Sequence, residues 1–60
     1  MKVWIVEEQH KAEGSGILAV LMQEPSEASV QAIGVARSHY SAEERAKWCS
    51  VICDSYEVEE

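Results

Sequence analysis

Two cysteines and two histidines are the residues whose types could do chemistry in this chain. Cys49 and Cys53 lie four positions apart, which would place both thiols on one face of a helix. With His39 and His10 they could supply four ligands to a zinc ion. The two cysteines also fall on an apolar stripe, where a thiol acts as a small hydrophobic side chain. The pattern therefore favours thiols in the core, with zinc binding and disulfide chemistry as alternatives.

Catalysis by these residues requires more than the sequence provides. A cysteine nucleophile needs a base within hydrogen-bond reach and a site for the oxyanion. Nothing in the sequence ties His39 or His10 to a thiol, and both are predicted to be loop or surface groups. Gly14-Ser15-Gly16 is a turn signal and not a phosphate-binding loop. The chain is predicted not to be an enzyme, with no catalytic residue, no bound metal and no cofactor.

The acidic residues point to binding. Eleven acidic residues against five basic ones give a net charge of −6, which argues against direct contact with nucleic acid and favours a basic protein partner. If the carboxylates converge, they could imitate a row of phosphates in the groove of a nucleic-acid-binding protein. The alternative is a solvated face that only keeps the protein in solution. The predicted partner-binding residues are Glu7, Glu8, Glu13, Glu57, Glu59 and, as the aromatic anchor, Trp4.

The first half of the chain predicts a β-hairpin. Residues 2–8 are rich in β-branched and aromatic side chains, which predicts a strand. The turn signal at residues 14–16 leads into a second apolar segment, residues 17–23, which Pro25 then ends.

Residues 26–40 are ambiguous between strand and helix. Val30, Ile33 and Val35 favour a third strand over residues 30–37, and Gly34 is unfavourable inside a helix. A helix capped by Ser26, with apolar residues at helical spacing, is the alternative. The strand is slightly favoured.

Ser41 and Glu44 form the sequence pattern of a capping box at the start of a helix. The apolar stripe predicts that this helix continues to Cys53, and Tyr56 and Val58 then alternate with acidic residues in a short last strand. The predicted fold class is α+β: a small antiparallel sheet made of the hairpin, the third strand and the terminal strand, packed by one capped helix. Residues 1–60 are predicted to be a single domain.

Size and composition limit the core. Sixty residues without phenylalanine make a thin core, so a homodimer or docking onto a larger partner is expected. No segment approaches the roughly 20 apolar residues that span a bilayer, and the first residues lack a signal-peptide pattern. We therefore expect no membrane contact and a cytoplasmic location.

Three segments resemble small phage-encoded α+β proteins, most of which have no known function. They are the opening strand (residues 2–6), the segment Ala32-Ile33-Gly34-Val35 followed by the capped helix start (residues 41–46), and the acidic ending (residues 56–60). The resemblance implies a location in the host cell and an inhibitor of host enzymes or defence complexes, such as an anti-CRISPR protein. It identifies no site residue.

Together these patterns predict a small, acidic, non-enzymatic protein-binding module, and in its more specific form an inhibitor or nucleic-acid mimic directed at a basic host protein. The alternatives are a self-associating structural module and a small zinc-binding regulator.

Overall fold

The computed structural model, which describes residues 1–59, consists of one three-stranded antiparallel sheet and two helices. The strand order is β2-β1-β3, so the first strand is central. The predicted α+β class with a small antiparallel sheet is confirmed. Glu60, the last residue of the predicted acidic ending, lies outside the described residues. The elements are β1 (Lys2–His10), β2 (Gly14–Leu21), α1 (Glu27–Arg37), α2 (Ala42–Trp48) and β3 (Cys49–Glu57).

The β1–β2 hairpin is present, but its turn comes earlier than predicted. Residues 11–13 form the turn, and Gly14 pairs with His10 as the first residue of β2. Gly14 has a φ of 88°, in the left-handed region that side chains disfavour. The predicted turn at residues 14–16 is therefore wrong in position, although glycine is needed where the strand begins.

A β-bulge in β2 adjusts the sheet to its core. Val6 pairs with Ala19 and Glu7 pairs with Ile17, so Leu18 is the extra residue. The bulge lets two sequence neighbours, Leu18 and Ala19, both be buried. Its backbone gains a donor from α1, because Arg37 Nη1 donates to the Leu18 carbonyl at 3.3 Å.

The predicted third strand at residues 30–37 is wrong, and the alternative, a helix capped by Ser26, is confirmed. The Ser26 hydroxyl accepts a hydrogen bond from the Ser29 amide at 3.1 Å. Gly34 is buried inside α1, where a Cβ would lie 2.7 Å from Val51 Cγ2 on β3. Glycine thus permits close packing of the helix on the sheet. Its low helix propensity was one reason why the sequence favoured a strand here.

The second helix is shorter than predicted. α2 ends at Trp48 instead of Cys53, and Cys49 begins β3 directly. β3 pairs with β1 along nine positions, from Lys2 with Glu57 to His10 with Cys49. This long pairing outweighs the helical spacing of the cysteines. The predicted terminal strand begins as part of β3, which contains Tyr56 and Glu57 but ends before Val58. In the described part of the chain, neither helix is long and apolar enough to cross a membrane.

The two faces of the sheet differ. α1 packs on the face that carries Val6, which is fully buried; we call this the covered face. The register places the odd-numbered residues of β1 on the opposite face, where neither described helix packs; we call this the open face. The buried core on the covered side is small: Val6, Leu18, Ala19 and Val30.

Candidate functional site

The open face is rich in exposed apolar side chains. Ile17 and Val20 on β2 are 60% and 57% exposed, and Tyr56 on β3 is 46% exposed. Large apolar side chains gathered on one surface mark interaction sites more often than isolated ones do. The apolar residues of this face are Val3, Ile5, Ile17, Val20, Ile52 and Tyr56.

Two carboxylates lie among these apolar side chains. Glu7 on the central strand stands between Ile17 and Ile52, and Ile5 stands between Val20 and Asp54. Directly opposed residues have Cβ atoms about 5 Å apart, so Glu7 is in side-chain reach of both isoleucines.

Among residues 1–59, no lysine or arginine side chain lies on the open face to balance these carboxylates. Two basic residues lie on the hairpin, Lys2 at a covered-face position and Lys11 in the turn. The other three are on the helices: Arg37, Arg45 and Lys47.

Glu8, predicted to bind a partner, is buried on the covered face and only 3% exposed. Its carboxylate accepts a short hydrogen bond from the Ser38 hydroxyl and another from the His39 amide at 3.3 Å. These bonds tie the segment after α1 to the central strand. Glu8 therefore stabilises the packing of this segment on the sheet and is not accessible to a partner.

His10 is also buried, which corrects its prediction as a loop or surface group. Its Nδ1 accepts the backbone amides of Ala12 and Glu13 at 3.0 and 3.1 Å. The proton of the neutral ring is therefore on Nε2, which donates to Glu44 Oε2 at 3.1 Å. The imidazole also lies against the rings of Tyr40 and Trp48, with centroid distances of 4.7 and 6.3 Å.

This contact changes the predicted capping box. The Ser41 hydroxyl accepts the Glu44 amide at 3.2 Å as expected. The Glu44 carboxylate, however, binds His10 and not the serine amide. The sequence gives no signal for this pairing, because the two residues are 34 positions apart.

The cysteines lie on β3, both on the covered face and both half-buried. They are four positions apart along the strand, about 13 Å, which is too far for a disulfide between the two. Burial is the largest cause of the raised pKa of Cys49, and the negative charge of Glu8 is the next. Burial also raises the pKa of Cys53 most, followed by the negative charge of Asp54. Both thiols thus resist forming the reactive thiolate.

The four side chains considered for zinc do not assemble. Within residues 1–59, no three histidine, cysteine, aspartate or glutamate side chains are close enough to hold a metal ion. Both ring nitrogens of His10 already have protein partners.

The remaining predicted residues are spread over the molecule. Glu13 is in the hairpin turn, where its carboxylate raises the pKa of Tyr40. Glu57 lies at the other end of the sheet, 3.8 Å from the N-terminal amine, and Glu59 follows it. Trp4 is half-buried on the covered face, opposite to Glu7. Within residues 1–59 these carboxylates are therefore dispersed, so the condition for a phosphate-like row is not met.

Comparisons with family models, curated proteins and solved structures found no match to this chain.

Proposed function

We propose that this protein is a non-enzymatic binding module that docks a basic protein on its open face. The observation that carries the proposal is the exposure of Ile17, Val20 and Tyr56 on a sheet face that neither helix covers.

Covering this face would be favourable. Burial of a valine, leucine or isoleucine side chain is worth about 1.5–3 kcal/mol. Ile17 and Val20 are each more than half exposed, so a partner that covers both gains a substantial part of that free energy. Because the core on the other side is small, a bound partner would also stabilise the sheet.

The carboxylates define the kind of partner. Glu7 is half-buried on the central strand, and docking would remove it from water. A desolvated carboxylate requires a hydrogen-bonding or cationic partner group. Asp54 adds a second negative charge on β3. The matching surface is therefore apolar, with lysine or arginine side chains opposite Glu7 and Asp54.

A second copy of the chain fits this face less well. Each copy carries a net charge of −6, and within residues 1–59 its open face supplies two carboxylates and no lysine or arginine. Face-to-face packing would desolvate like charges together, at several kcal/mol per ion.

Self-association through strand edges is the second candidate function. The order β2-β1-β3 leaves the outer edges of β2 and β3 without a neighbour in the described chain. Such edges can pair with another copy. The nucleic-acid mimic loses its main support because the predicted carboxylates are dispersed, while a phage origin and an inhibitory role stay predictions.

The test compares matched valine variants. V20S changes the open face, whereas V35S changes a valine of α1 that is 65% exposed. The protein is used to capture partners from lysate, and the captured protein is then purified and titrated. We expect V20S and E7Q to weaken binding at least tenfold, and V35S to leave it unchanged.

Equal binding by V20S and V35S would overturn the open face as the docking surface. Light scattering measures the mass of the protein in solution. If this mass doubles as the protein concentration rises, and doubles equally in V20S, the result would instead favour association through the strand edges.

A further inference from the structure

A groove on the covered side of the sheet lies beside the start of α1. Its volume is about 370 Å³, at the small end of the range for ligand pockets. It therefore has room for one large side chain. The residues that line it are Trp4, Glu24, Pro25, Glu27, Val30, Gln31, Val51 and Cys53.

Most of the groove is apolar and one wall is aromatic. The indole of Trp4 is half-buried, and Val30 and Val51 contribute aliphatic surface. The faces of aromatic rings attract planar and cationic groups.

The side-chain charge in the groove is negative, and among residues 1–59 no basic side chain balances it. Glu24 precedes α1 and Glu27 lies in its first turn, and both are exposed. Neither makes a salt bridge within residues 1–59, and no lysine, arginine or histidine lines the groove. The negative charge of Glu24 also acts on Cys53 in the groove. The pKa of this thiol is raised first by burial, then by the charge of Asp54 and then by that of Glu24.

We propose that this groove binds an arginine side chain presented by another protein. A guanidinium group is planar, stacks on aromatic rings and donates several hydrogen bonds to carboxylates. It would lie against Trp4 and donate to Glu24 and Glu27. Lysine has a compact, strongly hydrated charge that cannot stack in the same way, so arginine fits better.

This site is separate from the open face. Trp4 belongs to the covered face by its pairing with Leu21, which packs against the core. The groove could bind arginine even if the open face has no partner. V20S should therefore leave arginine binding unchanged, so failures of the two proposals can be told apart.

The experiment uses the two tryptophans as reporters. The chain contains two tryptophans, Trp4 and Trp48, so their two indole N–H signals can be followed by NMR in the unaltered protein. The probe is a blocked Gly-Arg-Gly peptide, and the matched control is the same peptide with neutral citrulline. We expect saturable shifts at Trp4 with the arginine peptide, in the millimolar range, and none with citrulline.

Variants identify the carboxylates. E24Q and E27Q should each weaken arginine binding by about fivefold. E43Q removes an exposed carboxylate on α2, outside the groove, and should change binding little. Equal shifts with the citrulline peptide, equal losses in E43Q and E24Q, or no saturable shift at Trp4 would each overturn the proposal.

Discussion

Replacing Gly34 by alanine tests how tightly α1 packs on the sheet. The new Cβ would lie 2.7 Å from Val51 Cγ2 and 3.4 Å from Val51 Cγ1. The first distance is well inside van der Waals contact, so either Val51 or the helix must move. Val51 is β-branched and lies in β3, so its side chain has few alternative rotamers.

The expected magnitude is the difference of two effects. In an exposed helix, alanine is more favourable than glycine by about 1 kcal/mol. Overpacking of a filled site costs about 1–3 kcal/mol. We therefore expect G34A to lower the free energy of unfolding by about 1 kcal/mol. The V51A variant lacks the methyl groups that the new Cβ would meet. In that variant, G34A should raise the free energy of unfolding by up to about 1 kcal/mol.

Urea unfolding followed by far-UV circular dichroism measures both changes. A slope near 1 kcal/mol per molar urea, typical of a small domain, converts 1 kcal/mol into a midpoint shift of about 1 M. A36G changes an exposed position of α1 and serves as the control for helix propensity, with an expected loss of about 1 kcal/mol. If G34A stabilises the otherwise unchanged protein as much as it stabilises V51A, the packing argument is wrong.

Three further predictions concern polar contacts and thiols. S38A leaves the buried Glu8 carboxylate without its hydroxyl donor and should lower the free energy of unfolding by about 2 kcal/mol in urea titrations. Both cysteines should react with a disulfide reagent more slowly than a free thiol at neutral pH, because burial raises their pKa values. Ultraviolet titration should show ionisation of Tyr40 above its ordinary pKa of about 10, and E13Q should move that pKa back. Since folding raises this pKa, its stabilising effect is present below about pH 10 and lost as the pH rises through the folded value.

Each of these predictions has a control. S50A changes an exposed serine of β3 and should alter the free energy of unfolding by less than about 0.5 kcal/mol; a loss as large as that of S38A would refute the role of Glu8. Urea-unfolded protein should restore ordinary thiol reactivity, and no acceleration on unfolding would contradict protection by burial. E57Q lies at the other end of the sheet, so an equal effect on Tyr40 would exclude a local cause.

Local signals in the sequence predicted the elements that depend on local interactions. The alternation of residues in β1 indicated a strand, and the Ser41 cap marked the start of α2. The Ser26 cap was recognised only as the alternative to the favoured strand. In each case the interacting groups are within a few residues of one another, so spacing alone carries the information.

The errors occurred where distant residues decide. Gly34 is required by its contact with Val51, and Cys49 leaves the helix because β1 offers nine positions of pairing. Glu8 appeared to be a surface carboxylate, but Ser38, 30 positions away, supplies its donor. Propensity cannot report such contacts, since tertiary packing overrides it.

The central position of β1 has a consequence for the order of folding. The β1–β2 hairpin joins residues close in sequence, whereas pairing of Lys2 with Glu57 closes almost the whole described chain. Contacts of such wide sequence separation form slowly. Until β3 arrives, one edge of β1 has no partner and could pair with the β3 segment of another molecule. Exchange of β3 between molecules is therefore the misfolding route that this topology favours at high protein concentration.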